Sequence, residues 1–289
     1  MPNIDLHCHS IVSDGLLPPA ALVERAHLHG VDVLALTDHD ELGGLAEARQ
    51  RAGELGLNFV NGVEVSVTWG GITIHMVGLR IDPQNPVLAA GLASIRAGRL
   101  RRADAIAEGL SMAGIEDSLE GALRHAENSA IVGRTHFARF LVEAGYAPNV
   151  GEVFKRFLVK DKPGYVPHRW AELGEAVEWI HAAGGSAVIA HPGRYKLSAA
   201  DMRQLLGEFR ELGGEGVEVV TGSHTPQQYG QYAALAHEFG LAASRGSDFH
   251  GPGESRVELG KLPDLPAHLK PVWRDWGLDA DTKPDGVAK

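Results

Sequence analysis

Ile4-Asp5-Leu6-His7-Cys8-His9-Ser10 opens the chain as a β-rich run ending in paired histidines, and Asp32-Val33-Leu34-Ala35-Leu36-Thr37-Asp38-His39-Asp40 repeats the design one segment later. In a strand, the period of two sends His7 and His9 to one face and Cys8 to the other. A helical pattern from about Pro18 separates the two runs, and a second, Gly44 to Gly56, follows them. Such β/α alternation predicts mainly parallel strands whose carboxyl ends share one mouth, where folds of this kind place their sites.

Working outward, NFVNGVEVSV (58–67) and ITIHMVGL (72–79) flank Gly70-Gly71 and read as adjacent strands of a hairpin. From about Arg99 to Glu175 the strand signal disappears, and SLEGALRHAENS, GRTHFARFLVEAGY and VGEVFKRFLVKD read as short helices broken by Gly and Pro. Strands return with SAVIAHP, GVEVV and LAASRGSDFH, separated by helices at about 173–183, 199–212 and 226–239. The predicted architecture is α/β: barrel portions 1–98 and 177–289 with an inserted helical subdomain, 99–176. The tail after Pro263, which carries Trp273 and Trp276, is expected to pack on the surface before a disordered end.

The 289 residues, 44% hydrophobic and 22% charged, can bury a sizeable core. No leader pattern and no apolar run long enough to span a membrane is apparent, and the single cysteine, Cys8, fits a reducing compartment; a cytoplasmic protein is expected. A formal charge of -10 argues against a broad footprint for duplex DNA but leaves room for a small anionic substrate. Between residues 99 and 175 eleven basic residues balance eleven acidic ones, so the whole negative excess lies in the barrel portions. Residues 133–169 alone hold seven basic against three acidic side chains, a more cationic piece placed to lean over the acidic one.

Nine potential metal ligands terminate or interrupt the strands. Asp14 follows His9 by five residues in the SDG loop, and His39 ends the second strand. Glu64 breaks an apolar stretch, where an unpaired carboxylate would carry a large desolvation penalty; its two oxygens make it the candidate bridge between two cations. His75 sits in apolar ITIHMVGL, His191 ends AVIAHP, and Asp248 and His250 close another strand in GSDFH. Each alone has a structural reading, as a capping aspartate, a solvated loop or a satisfied core histidine. Their convergence on one mouth argues for two to three divalent ions. Mixed nitrogen and oxygen ligation without thiolate suits Mn²⁺, taken as first choice, with Zn²⁺ or Fe²⁺ as alternatives.

DLHCHS with Asp14, LTDHD, the Glu64 strand, His75, the AHP of His191 and SDFH together resemble the polymerase and histidinol phosphatase (PHP) family of amidohydrolase-like enzymes. The resemblance implies a distorted seven-stranded β/α barrel. It also implies a metal cluster at the mouth, with one ion on His7, His9, Glu64 and Asp248, a second on Glu64, His75 and His191, and a third on Asp14, His39 and His250. The insertion, KDKPGYVPH and AHPGRY are similar to the bacterial branch that removes the 3′-phosphate of nucleoside 3′,5′-bisphosphates such as pAp. Relatives in that branch also degrade short RNA from a 5′-phosphorylated end.

Clustered divalent ions activate water directly, so no nucleophilic side chain is required, and GxSxG, HExxH, Walker and GxGxxG patterns are all absent. Glu64, Asp248 and His224 are the candidate catalytic residues, with His224 read either as the group that protonates the leaving oxygen or as a cap on the helix after Pro226. Arg134, His136, Arg194, His224 and Lys162 are the candidate substrate contacts, with Tyr165 a weaker one. The partners expected are a small nucleotide and short RNA, with no membrane and no protein partner inferred. The alternatives are a phosphatase for another small phosphate ester, such as histidinol phosphate, and a noncatalytic metal-holding module.

Overall fold

The computed structural model describes residues 2–277. Seven strands follow one another around the sheet: β1 (Ile4–Asp5), β2 (Val33–Leu36), β3 (Asn58–Trp69), β4 (Ile72–Leu79), then, after the two-residue β5 (Ala171–Glu172) on the flank of β3, β6 (Ser186–Ile189), β7 (Gly216–Thr221) and β8 (Ala242–Gly246). Every neighbouring pair is parallel except those of β4, which runs antiparallel to both β3 and β6. The last strand returns to the first: Leu6 N–H donates to Arg245 O, and Cys8 bridges Phe249. The result is a nearly closed barrel.

Between β3 and β4 the turn is Gly70-Gly71, with φ of 57° and 76°. Two successive left-handed residues make a tight hairpin and favour glycine at both positions. Around the barrel lie α1 (Pro19–Leu28), α2 (Leu45–Leu55), α3 (Pro86–Ser111), α7 (Leu173–Ala182), α8 (Ala199–Glu211) and α9 (Pro226–Glu238). Between α3 and β5 come α4 (Ser118–Arg124), α5 (Arg134–Glu143) and α6 (Val150–Val153), the last running into a π-helical turn over Phe154–Leu158.

The strand alternation sorts the core. Leu34 and Leu36, Ile74 and Met76, and Val217 and Val219 face the main core with the outer helices, whereas Val33, Ala35, Val77 and Val188 form a second cluster from the opposite face. Trp273 and Trp276 pack against that second cluster, so the tail covers it; the disordered end expected for the last residues lies outside the described residues. Helix α3 is a single 26-residue helix that runs through residue 99, where the inserted subdomain was expected to begin. Its Leu88, Leu92 and Ile95 belong to the barrel core, and its Ala103, Ile106 and Leu110 to a separate core shared with α4, α5 and α6. No helix among the described residues is long and apolar enough to cross a membrane.

Candidate metal centre

Glu64 stands on the face of β3 opposite Val63 and Val65, fully buried, at the centre of a ring of imidazoles. Its Oε2 lies 3.3 Å from both His7 Nε2 and His9 Nε2, which are 3.1 Å apart. Asp248 Oδ1 completes that group, 3.5 Å from His7 Nε2 and 3.3 Å from His9 Nε2. On the other side, Glu64 Oε1 is 2.9 Å from His75 Nδ1 and 2.8 Å from His191 Nε2, while His39 Nδ1 lies 2.9 Å from Oε2. A third group gathers on Asp14 Oδ1, with His250 Nε2 at 3.4 Å, His39 Nε2 at 3.9 Å and His9 Nδ1 at 4.0 Å. All nine side chains thus meet at one mouth. His9 and His39 each turn one nitrogen to Glu64 and the other to Asp14, a sharing that the resemblance does not convey.

The donors fit divalent cations. Among the described residues, seven of the twelve buried side-chain N or O atoms without a hydrogen-bond partner belong to this cluster, on His9, Asp14, His39, Glu64, His75, His191 and Asp248. Buried polar atoms are ordinarily paired, so this many orphans on one group of side chains mark a place for a group that accepts lone pairs. Electrostatics agree. Burial works against charge on His7, yet the carboxylates of Glu218, Glu64 and Asp248 hold its pKa well above normal. Burial likewise opposes His9, but its bonds to Asp248 and Glu64 raise it to about 10. Glu64 and Asp248, though buried, are held well below the usual carboxylate range by the surrounding histidines. The carboxylates therefore demand positive charge, and a cation would displace the imidazole protons that supply it.

Comparison with known proteins agrees with this arrangement, for the family description "PHP domain" matches residues 5–216. The chain belongs to the PHP domain family. It is 50% identical over 275 residues, 95% of this chain and 96% of the relative, to a protein of Chromobacterium violaceum named 3′,5′-nucleoside bisphosphate phosphatase. It is 46% identical over 280 residues, 96% of this chain and 95% of the relative, to the 5′-3′ exoribonuclease Rnm of Escherichia coli. A solved amidohydrolase from Chromobacterium violaceum, with bound sulfate and no metal, superposes with a TM-score of 0.92 at 50% identity, covering 94% of this chain and 95% of that one.

In this PHP domain the expected substrate contacts divide. Arg134 and Arg194 line a cavity of about 130 Å³ above Asp14, His39, His75 and His250. Arg194 is half-exposed and donates to Asp248 Oδ2 at 2.9 Å. His136 also borders the cavity, but both its nitrogens are engaged: Nδ1 accepts from Gly133 N–H and Nε2 donates to Ser13 O. It ties the start of α5 to the loop of Asp14, alongside Thr135, whose hydroxyl donates to Asp14 Oδ2 at 2.9 Å, and burial depresses its pKa to about 4. Lys162 is exposed in a turn outside the cavity lining, and so is half-buried Tyr165.

His224, expected as the proton donor, is placed otherwise. Its Nδ1 donates to Val219 O at 3.1 Å, its Nε2 accepts from Gly193 N–H at 2.9 Å, and its ring stacks on Tyr232, away from the cavity. Burial lowers its pKa, so it stays neutral and holds the loop carrying Arg194. We expect His224→Phe to lower stability by about 1–3 kcal/mol, through the unpaired Gly193 N–H. The basic limb of the pH–rate profile should stay in place; its displacement would return His224 to the reaction.

Two arginines of α3 were not among the residues singled out from sequence. Arg99 forms an ion pair with Asp40 and lies 4.8 Å over the Trp170 ring. Arg102 also stacks on Trp170, at 5.2 Å, and donates to Val166 O. Neither Arg102 nor Arg134 has a carboxylate within ion-pair distance among the described residues, which leaves two uncompensated cations at the cavity. Burial first, then Arg134 and Arg99, lowers the Arg102 pKa to about 9. An anion in the cavity would relieve both effects. The basic excess of residues 133–169 signalled Arg134 but neither Arg99 nor Arg102.

Proposed function

We propose that this protein is a metal-dependent phosphatase that removes the 3′-phosphate of nucleoside 3′,5′-bisphosphates, with exonuclease action on short 5′-phosphorylated RNA as a second activity of the same site. The observation that carries the reading is the superposition of two features: a buried cluster of six histidines and three carboxylates, and directly above it a cavity with two unpaired arginines. His7, His9, Asp14, His39, Glu64, His75, His191, Asp248 and His250 would hold the divalent ions, which would lower the pKa of water at the mouth and offset charge on the phosphoryl oxygens. Mixed imidazole and carboxylate donors without thiolate suit Mn²⁺, our first choice, and also Zn²⁺ or Fe²⁺.

The chain's own residues bind and orient. Arg102 and Arg134 offer charge to a second phosphate, which distinguishes a bisphosphate or a 5′-phosphorylated end from a simple ester. Arg194, tethered to Asp248, stands between the cluster and solvent and can meet the equatorial oxygens of the phosphoryl group under attack. The 130 Å³ cavity admits a phosphate and its neighbouring atoms, not a duplex. A cytoplasmic location accords with the single buried cysteine.

The test is an assay of purified protein in Mn²⁺ with pAp, histidinol phosphate and a 5′-phosphorylated oligoribonucleotide. Phosphate release from pAp should exceed that from histidinol phosphate. No phosphate from pAp would overturn the reading, and preference for histidinol phosphate would favour the other small-ester phosphatase.

A further inference from the structure

Of the buried carboxylates outside the nine ligands, Asp5, Asp38, Asp40 and Glu218, Glu218 is the one in hydrogen-bond contact with two of the ligand residues. Glu218, in the middle of β7, is 1% exposed and lies on the face opposite Val217 and Val219, the same placement that Glu64 has on β3. Its two oxygens have separate partners. Oε1 is 2.9 Å from His7 Nδ1, and Oε2 accepts the backbone N–H of His191 at 2.5 Å. We propose that Glu218 is a positioning residue that joins the two ion sites on either side of Glu64, by fixing the ring of His7 and the backbone of His191 at once.

A carboxylate can only accept, so in the neutral ring that binds a cation the single proton of His7 sits on Nδ1 and Nε2 keeps its lone pair. That is the nitrogen facing Glu64, Asp248 and His9. At His191 the backbone has φ 26° and ψ 57°, a left-handed conformation uncommon for a residue with a side chain. The bond from its N–H to Glu218 secures that turn, which delivers Nε2 to Glu64 Oε1. Strand order explains why one side chain can serve both. Strand β7 lies between β6, which leads to His191, and β8, which abuts the strand of His7. The intervening residue of β8 is Gly246, where a Cβ would fall 2.3 Å from His7 Cβ and 3.1 Å from Glu218 Oε1. Glycine there opens the path by which Glu218 reaches across β8.

An amide cannot replace this carboxylate. If the glutamine oxygen faces His191 N–H, its NH₂ faces His7 Nδ1 and drives the proton to Nε2, blocking that nitrogen as a ligand. If the oxygen faces His7, two donors oppose each other at His191. In either orientation one site is lost or weakened while shape and volume remain.

The inference rests on the metal-centre reading, and the experiment separates the two. Bound manganese is measured by elemental analysis across a series of free Mn²⁺ concentrations, for the parent and for Glu218→Gln, with circular dichroism as the check on folding. We expect the folded variant to need 10- to 100-fold more Mn²⁺ for half-loading. Parent-like loading by a folded variant would overturn the inference alone; a parent that binds no divalent ion would overturn the metal-centre reading itself. The parent also gives a readout that requires no variant. Long-range ¹⁵N–¹H spectra of histidine-labelled, Zn²⁺-loaded protein should show His7 protonated on Nδ1 and ligating through Nε2, and the reverse tautomer would refute the proposal.

Discussion

Glu64→Gln is expected to empty the centre of divalent ions and to slow phosphate release from a nucleoside bisphosphate by at least about a thousandfold. Five histidine nitrogens lie within 3.3 Å of the two Glu64 oxygens, so one charge serves both flanking groups. The amide keeps the volume, so packing around Val63 and Val65 survives. It brings a neutral oxygen and an NH₂ that points protons at imidazoles meant to be lone-pair donors. Thermal melting provides a second readout. Mn²⁺ at a hundred times its Kd should stabilise the parent by about 2.7 kcal/mol, and the variant should show no comparable rise. A Glu64→Gln protein with its full complement of ions and turnover within tenfold of the parent would refute a catalytic cluster centred on this residue and favour the noncatalytic module.

Arg102→Met should produce opposite effects on binding and on stability. The KM for the bisphosphate is expected to rise about 10- to 100-fold, the loss of a charged hydrogen bond worth about 1.5–3 kcal/mol. A substrate with a single phosphate should be far less affected, and bound metal should not change. The ligand-free fold, by contrast, should be as stable as the parent or more so. Arg102 is 8% exposed, lies close to Arg99 and Arg134 and has no carboxylate partner among the described residues, so its charge is a burden until an anion arrives. Methionine keeps a long apolar stem against Trp170. Lower stability with an unchanged KM would mean that Arg102 serves packing and not substrate.

The parts of the molecule that were legible in advance share a property: each repeats with the period of its own element. The hairpin around Gly70-Gly71, the strands ending in His7, His39 and His191, and the helices near 173, 199 and 226 all announce themselves in runs of a few residues. Glu218 carried the same sign as Glu64, a carboxylate inside an apolar strand, in GVEVV beside VNGVEVSV, and only its lack of a familiar motif hid it. Helix α3 was harder, because one helix serves two cores and its apolar face changes partner between Ile95 and Ala103. His224 and His136 show what a motif does not convey. Both sit beside motif residues, yet their nitrogens are engaged by Gly193 and Val219 and by Gly133 and Ser13.

From the sequence by itself came the family, the α/β class and the nine side chains gathered at the mouth, because strand periodicity and strand-end position are local and survive without coordinates. Only the tertiary structure decided which nitrogen of each imidazole faces which carboxylate, that Arg99 is neutralised by Asp40 while Arg102 and Arg134 are not, and that both nitrogens of His224 are engaged by backbone groups. Several of those outcomes depend on partners distant in the chain, such as Gly193, 31 residues from His224, and Glu218, 211 from His7, and a group's charge and free lone pairs are set by what closes around it.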